Sequence, residues 1–367
     1  MNMKNWEGKP MSTYGDKIKL TVFGESHGDG IGCVLDNIPA GISIDMDKVL
    51  TQMARRAPGK DKTATPRLEK DFPIVKSGIL DGVTTGAPIA CFIENTNTRS
   101  GDYSNLLDKP RPGHADYTAY IKYEGKNDIR GGGHFSGRLT APIVFAGAVA
   151  RQILEQKGIK IAAHIDSIGG VNDERFDPVN IPDELIERLN TETFALINKD
   201  KETDMRDVIE KARLDLDSIG GVVECAITGA PVGIGGPLFD GIEGKISSAV
   251  FGIPAVKGVE FGSGFACAEA RGSENNDSFV FKDGKVKTET NNCGGILGGI
   301  SNGMPIIFRA AFKPTPSIAK EQKTVNLTTG ENTTLSVKGR HDPCIVPRAV
   351  SVVEAVAALA ILDMVTL

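Results

Sequence analysis

Apolar and polar positions alternate in several short runs of this chain and separate completely in two long ones. "IKLTVF" (Ile18 to Phe23) is a β-branched run that predicts a strand, and Pro73–Ile79, Ile89–Glu94, Ile159–Ile168 and Gly221–Thr228 share that character. A helical period holds from Asp45 to Arg56. Met46, Val49, Leu50 and Met53 fall on one face, Ser43 or Asp45 is placed to cap the start, and Pro58-Gly59 stops the helix. Asp183–Asn190 and Thr203–Leu216 predict amphipathic surface helices, and Phe279–Phe281 with Val286–Thr288 flank Asp283-Gly284, a hairpin signal. Leu139 to Gln156 and Pro347 to Met364 ("PRAVSVVEAVAALAILDM") have almost no polar face. Helices this apolar belong inside, between sheets. Both kinds of element mix along the chain, which predicts an α+β fold with antiparallel sheets. "DSIGGV" occurs twice, at Asp166–Val171 and Asp217–Val222, and points to an internal pseudo-duplication.

Composition narrows the class. The 367 residues contain no Ser/Pro-rich linker, charge block or low-complexity tract, so a single domain over 13–367 is expected, preceded by a flexible tail over 1–12. No run of about 18 apolar residues predicts a membrane span, and "MNMKNWEGKPMSTYGDK" has no apolar secretory core. A net charge of −5 argues against a nucleic-acid partner. The six cysteines are scattered, with no metal-like spacing, and suit a reducing cytoplasm. Glycine is the outlier: 43 residues, clustered rather than periodic, against a usual share of about 7%. Such clusters serve backbones that take positive φ or approach a ligand closely.

The chemistry-bearing residues sit among those glycines. "FGESHGDG" breaks the first strand to present Ser26 and His27; His114 lies in "KPRPGHADY", His134 in "IRGGGHFSGRLT" and His341 in "VKGRHDPC". Histidines on rigid loops suit general acid–base work. Arginines surround them. Arg55 and Arg56 end the first helix, Arg130 and Arg138 bracket the triple glycine, and Arg340 and Arg348 bracket "HDPC". Guanidinium groups beside glycine amides at a helix start predict a site for a small polyanion. "KPTPSI" (Lys313 to Ile318) offers an ammonium and hydroxyls on a proline-stiffened loop, as a phosphate contact would. Neither a Walker A sequence nor a dinucleotide fingerprint is present.

Taken in order, "FGESHG", "ARRAPG", "ENTNTRSGDYS", "RPGHADY", "RGGGHFSGR", "AVKGVEFGSGF", "RGSENND", "GGILGGISNG", "KPTPSI" and "GRHDPCIVPRAV" resemble the chorismate synthase family from about Gly15 to Met364. The resemblance implies an anti-1,4-elimination of phosphate from 5-enolpyruvylshikimate 3-phosphate to give chorismate, a step of the shikimate pathway to the aromatic amino acids. It implies reduced FMN (FMNH2) as a cofactor without net redox change, a β-α-β sandwich fold, and a homotetramer. Reduced flavin would come from an external, NADP-linked flavin reductase. His27 resembles the acid that assists phosphate departure, His114 the histidine that protonates or stabilises the anionic flavin, and Asp342 the carboxylate that takes the flavin N5 proton. Ser26, Arg55, Arg56, Lys62 and Arg138 correspond to substrate contacts. His134, Phe135, Ser136, Pro254, Ala255, Gly298, Lys313, Pro314, Thr315, Pro316, Ser317 and Arg340 correspond to flavin-contact segments. No metal ligand is expected.

The chain departs from the family pattern after the triple glycine, where His134 replaces an arginine, Phe135 follows, and Leu139 replaces a glutamate. Lys62 also stands where arginine is common. The residues alone leave room for a flavin oxidoreductase or phosphatase on the same loops, and for a non-catalytic oligomeric scaffold.

Overall fold

The computed structural model describes residues 12–58, 71–96, 108–282, 284–337 and 342–365. Two five-stranded antiparallel sheets enclose a layer of helices. The first sheet orders its strands Thr13–Tyr14, Lys19–Gly24, Gly30–Asp36, Ile89–Glu94 and Ile74–Ser77. The second orders Val256–Phe261, Ile306–Phe312, Gly221–Thr228, Lys160–Ile168 and Val171–Asn172. The α+β expectation holds, and the two apolar runs are the helices Thr140–Glu155 and Val346–Met364, buried almost throughout. They approach closely because Gly147 has no side chain; a β-carbon there would collide with Ala355. The Met46–Arg56 helix begins where expected, with Asp45 accepting hydrogen bonds from the amides of Asp47 (2.9 Å) and Lys48 (3.3 Å).

Long-range polar contacts lock the layers. Asp363, near the end of the last helix, accepts from the backbone amides of Asp16, Lys17 (2.6 Å) and Ile18 (2.9 Å), fastening the first sheet to it. Glu354 in the same helix is buried and accepts from the amide of Ala163 at 2.9 Å, in the second sheet. The two "DSIGGV" segments lie beside each other as antiparallel neighbours, with Ile168 opposite Gly221 and Ser167 opposite Val222. The first glycine pair turns the chain with positive φ (57° and 87°), while the second starts a strand, so the matching letters take different conformations. Residues 1–11 of the expected tail lie outside the described residues; Ser12 is already hydrogen bonded, to His134. Among the described residues no helix is long and apolar enough to cross a membrane, and no cluster of His, Cys, Asp or Glu could hold a metal ion.

Candidate active site

Both long helices open toward one cleft of about 600 Å³, lined by the first turns of Thr140–Glu155 and Val346–Met364. Helix N-termini carry partial positive charge and attract anions. The chain adds cations where that field already favours anions: Arg56, Arg111, Arg138, Lys257, Lys313 and Arg348 line the cleft, and Asp342 is its only acidic side chain among the described residues. One wall is apolar, formed by Ile253 to Val256 and Phe312.

Arg56 and Arg138 are held from behind by a carboxylate that sequence reasoning missed. Asp71 is buried with its oxygens against both guanidinium groups, Arg56 Nη1 at 2.6 Å on one and Arg138 Nη1 on the other. Burial alone would raise the Asp71 carboxyl, but Arg56 and Arg138 hold it below its ordinary value. Burial pushes Arg56 down to about 10 despite Asp71. Arg56 also donates to Thr140 Oγ1 (3.0 Å) and the Gly137 carbonyl (2.9 Å), and Arg138 to Asn95 Oδ1 (3.0 Å). Both arginines are thereby preorganised at the helix entrance. Arg55 is not part of this group. Adjacent helix residues diverge by about 100°, so Arg55 turns into the helical layer, where Nη1 meets Glu354 Oε2 at 2.5 Å and Nε donates to the Glu192 carbonyl at 3.0 Å. The expected substrate contact at Arg55 is instead a buried structural ion pair.

The triple glycine separates two histidines. Gly131 and Gly132 take φ of 60° and 87°. A β-carbon on Gly131 would collide with His27 Nδ1 and Ser26 Oγ, and one on Gly132 would lie 3.2 Å from His114 Nε2. Only glycine allows both rings against this segment. His114 lines the cleft, whereas Ser26 and His27 are buried behind Gly131. Ser26 Oγ donates to the Arg130 carbonyl and lies 3.2 Å from His27 Nδ1. His114 Nδ1 stands 2.6 Å from Asp116 Oδ1, and Arg111 ties this loop to Ser317 Oγ at 3.0 Å. Arg111, Asp116 and Lys257 were not singled out from sequence, although the spacing Arg-x-x-His-x-Asp in "RPGHAD" was a usable signal.

The expected flavin segments divide. His134, Phe135, Ser136, Pro254, Ala255, Lys313, Thr315, Pro316 and Ser317 line the cleft, while Pro314 and Gly298 do not. Gly298 instead supplies the positive φ (61°) of the turn between Ile296–Leu297 and Ile300–Ser301. His134 Nδ1 is 2.8 Å from the Gly24 carbonyl, which only accepts, so Nδ1 carries hydrogen, and Nε2 lies 2.7 Å from Ser12 Oγ. Lys313 donates to the Gly113 carbonyl at 2.6 Å; partial burial and then Lys257 lower its pKa. Asp342 Oδ2 accepts from Arg348 Nη1 at 2.5 Å, and its carbonyl accepts from Thr315 Oγ1 at 2.9 Å. Lys62, Arg340 and His341 lie outside the described residues.

The family model described as chorismate synthase matches residues 18–366. A chorismate synthase from Pyrococcus abyssi is 50% identical over 349 residues, covering 95% of this chain and 96% of its own. One from Dehalococcoides mccartyi is 46% identical over 354 residues, 96% of each chain. A crystal structure of a chorismate synthase superposes with a TM-score of 0.73 at 28% identity, covering 96% of this chain and 92% of that one. With its motifs gathered around one cationic cleft and the match running almost end to end, the chain belongs to the chorismate synthase family.

Proposed function

We propose that the cleft binds 5-enolpyruvylshikimate 3-phosphate and eliminates its phosphate in an anti-1,4 sense, giving chorismate. The observation that carries this reading is the concentration of Arg56, Arg111, Arg138, Lys257, Lys313 and Arg348 around one cleft, in a chain of net charge −5. A substrate with one phosphate and two carboxylates needs such a surround. The cleft also suits reduced FMN. Its apolar wall from Ile253 to Val256 fits a flat ring system, Lys313 to Ser317 with Arg111 fit a phosphate tail, and its size lies within the usual range of cofactor sites. When bound, reduced flavin supplies electron density for C–O cleavage and ends unchanged, so the reaction is redox-neutral.

The chain's own groups divide the remaining work. Arg56 and Arg138, fixed by Asp71, orient substrate anions without reorganising. His27, the acid expected from sequence, lies behind Gly131 and does not line the cleft, so no proton transfer to the departing phosphate is assigned to it. His114 presents Nε2 beside Gly132 for proton exchange with the cofactor. Asp342, held by Arg348, accepts the proton released as the substrate loses hydrogen. The proposal includes a cytoplasmic homotetramer fed by a separate flavin reductase; exposed Leu238, Phe239, Phe265 and Phe281 supply apolar surface for assembly.

The test is an anaerobic assay of phosphate release from 5-enolpyruvylshikimate 3-phosphate with and without reduced FMN. Release should require reduced FMN and leave it reduced. Oxidation of one flavin per phosphate would replace this reading with a net oxidoreductase.

A further inference from the structure

Four donors converge on Asp116. Arg111 gives its backbone amide (3.0 Å) and Nε (2.7 Å) to Oδ2, and its Nη2 (2.8 Å) to Oδ1; His114 Nδ1 lies 2.6 Å from Oδ1. Carboxylate oxygens only accept, so His114 carries hydrogen on Nδ1. The neutral ring then keeps its lone pair on Nε2, the nitrogen that faces Gly132. Arg111 Nη2 also stands 3.1 Å from Nδ1, but a protonated Nδ1 cannot accept, and Nη2 bonds to Oδ1. Burial alone would raise the Asp116 carboxyl; hydrogen bonds from Arg111 and His114 hold it far below the carboxylate range, so it stays an acceptor. The neighbouring loop adds Lys313, on the Gly113 carbonyl, and the triple glycine adds no charge.

We propose that Asp116 is a positioning residue that sets the tautomer of His114, presenting Nε2 to the cleft as the atom that exchanges the proton. The inference rests on the role given to His114 above. Asp116 also has a plain structural use, since it begins the Asp116–Lys122 helix and closes the turn from Arg111. Asp116→Asn separates the two uses. Asparagine offers one acceptor where four donors meet. With its oxygen on Arg111, its amide points at His114 Nδ1 and donates, moving the ring hydrogen to Nε2.

The experiment is ring ¹⁵N–¹H correlation NMR on the flavin-free full chain, whose five histidines are assigned by single His→Gln variants, alongside steady-state kinetics. The wild type should show the Nδ1–H form of His114, and Asp116→Asn the Nε2–H form. Turnover of Asp116→Asn should fall by about 10²–10⁴-fold, as expected for a misplaced acid–base proton, with KM for 5-enolpyruvylshikimate 3-phosphate unchanged. An Nε2–H form in the wild type would overturn the inference even if the variant failed to fold. So would an unchanged tautomer in Asp116→Asn, or a lower melting temperature with normal turnover per folded molecule. Near-normal turnover of His114→Gln would instead defeat the catalytic reading of His114, leaving the tautomer result standing.

Discussion

Arg55 and Arg56 show how one step along a helix separates stability from binding. Arg55 pairs with buried Glu354, which Arg151 Nη1 also approaches at 3.4 Å. Arg55→Ala should therefore cost stability toward the low end of the about 3–5 kcal/mol typical of a broken buried pair, because Arg151 remains. Urea unfolding measures that loss, and KM of the folded fraction should not move. Arg56→Ala should raise KM markedly, because Arg56 lines the cleft; equal KM values for the two variants would contradict the geometry. Asp342 permits a similar separation. Asp342→Asn keeps size and most hydrogen bonding but removes the base, so turnover should fall by about 10²–10⁴-fold while melting temperature and flavin affinity hold. Reduced stability with normal turnover would make Asp342 a structural partner of Arg348. At this scale the sequence displayed its cations and histidines through glycine and proline punctuation. Asp71, the carboxylate behind the two cleft arginines, was hidden: it meets an arginine 67 positions away, a distance no local pattern reveals.

Single elements were more legible than their arrangement. Ile89–Glu94 and Gly221–Thr228 form as strands with the expected bounds, because β-branched runs between turn residues carry their own signal. Sheet order depends on pairing between distant segments and was not legible. That pairing creates a charged row across the second sheet: His164, Glu224, Arg309 and Glu260 are cross-strand neighbours in successive strands. His164 is buried with Nδ1 3.0 Å from Asp173 Oδ2 and Nε2 3.0 Å from Glu224 Oε2. Both partners only accept, so both ring nitrogens carry hydrogen. Burial opposes that charge, but the two carboxylates raise the His164 pKa overall, while their own are lowered by His164 against the burial penalty. The signs define a window. The histidine contribution is complete below its unfolded value of about 6.5 and disappears as pH rises through the higher folded value. The carboxylate contribution is complete above about 4 and disappears as pH falls through the lower folded values. The stability gap between wild type and His164→Gln should thus be widest near pH 5–6 and narrow toward alkaline pH. Denaturant midpoints across that range decide it; a gap that widens with pH would mean His164 is neutral in the fold.

Across the whole molecule, charge is segregated: the chain is net negative, yet its cleft is ringed by cations. A polyanionic substrate approaching such a surface is repelled broadly and attracted at one mouth, so its capture depends on how far each field reaches. Raising ionic strength from about 0.01 to about 1 M shortens the screening length from about 30 to about 3 Å. The fixed pairs inside the cleft, such as Arg56 and Arg138 with Asp71, are buried and in direct contact, so they are screened little. Salt should therefore act on encounter and binding rather than on the chemical step. KM for 5-enolpyruvylshikimate 3-phosphate should climb with sodium chloride while kcat stays nearly level. Lys257 identifies the origin of the slope, because it is exposed and lines the cleft. Lys257→Gln should flatten the dependence of KM on salt, and Asp71→Asn should leave that slope in place while raising KM at every salt concentration, since it releases the two fixed arginines. A KM indifferent to salt, or a slope untouched by Lys257→Gln, would mean that the cations act only on contact and that the cleft exerts no long-range pull on its substrate.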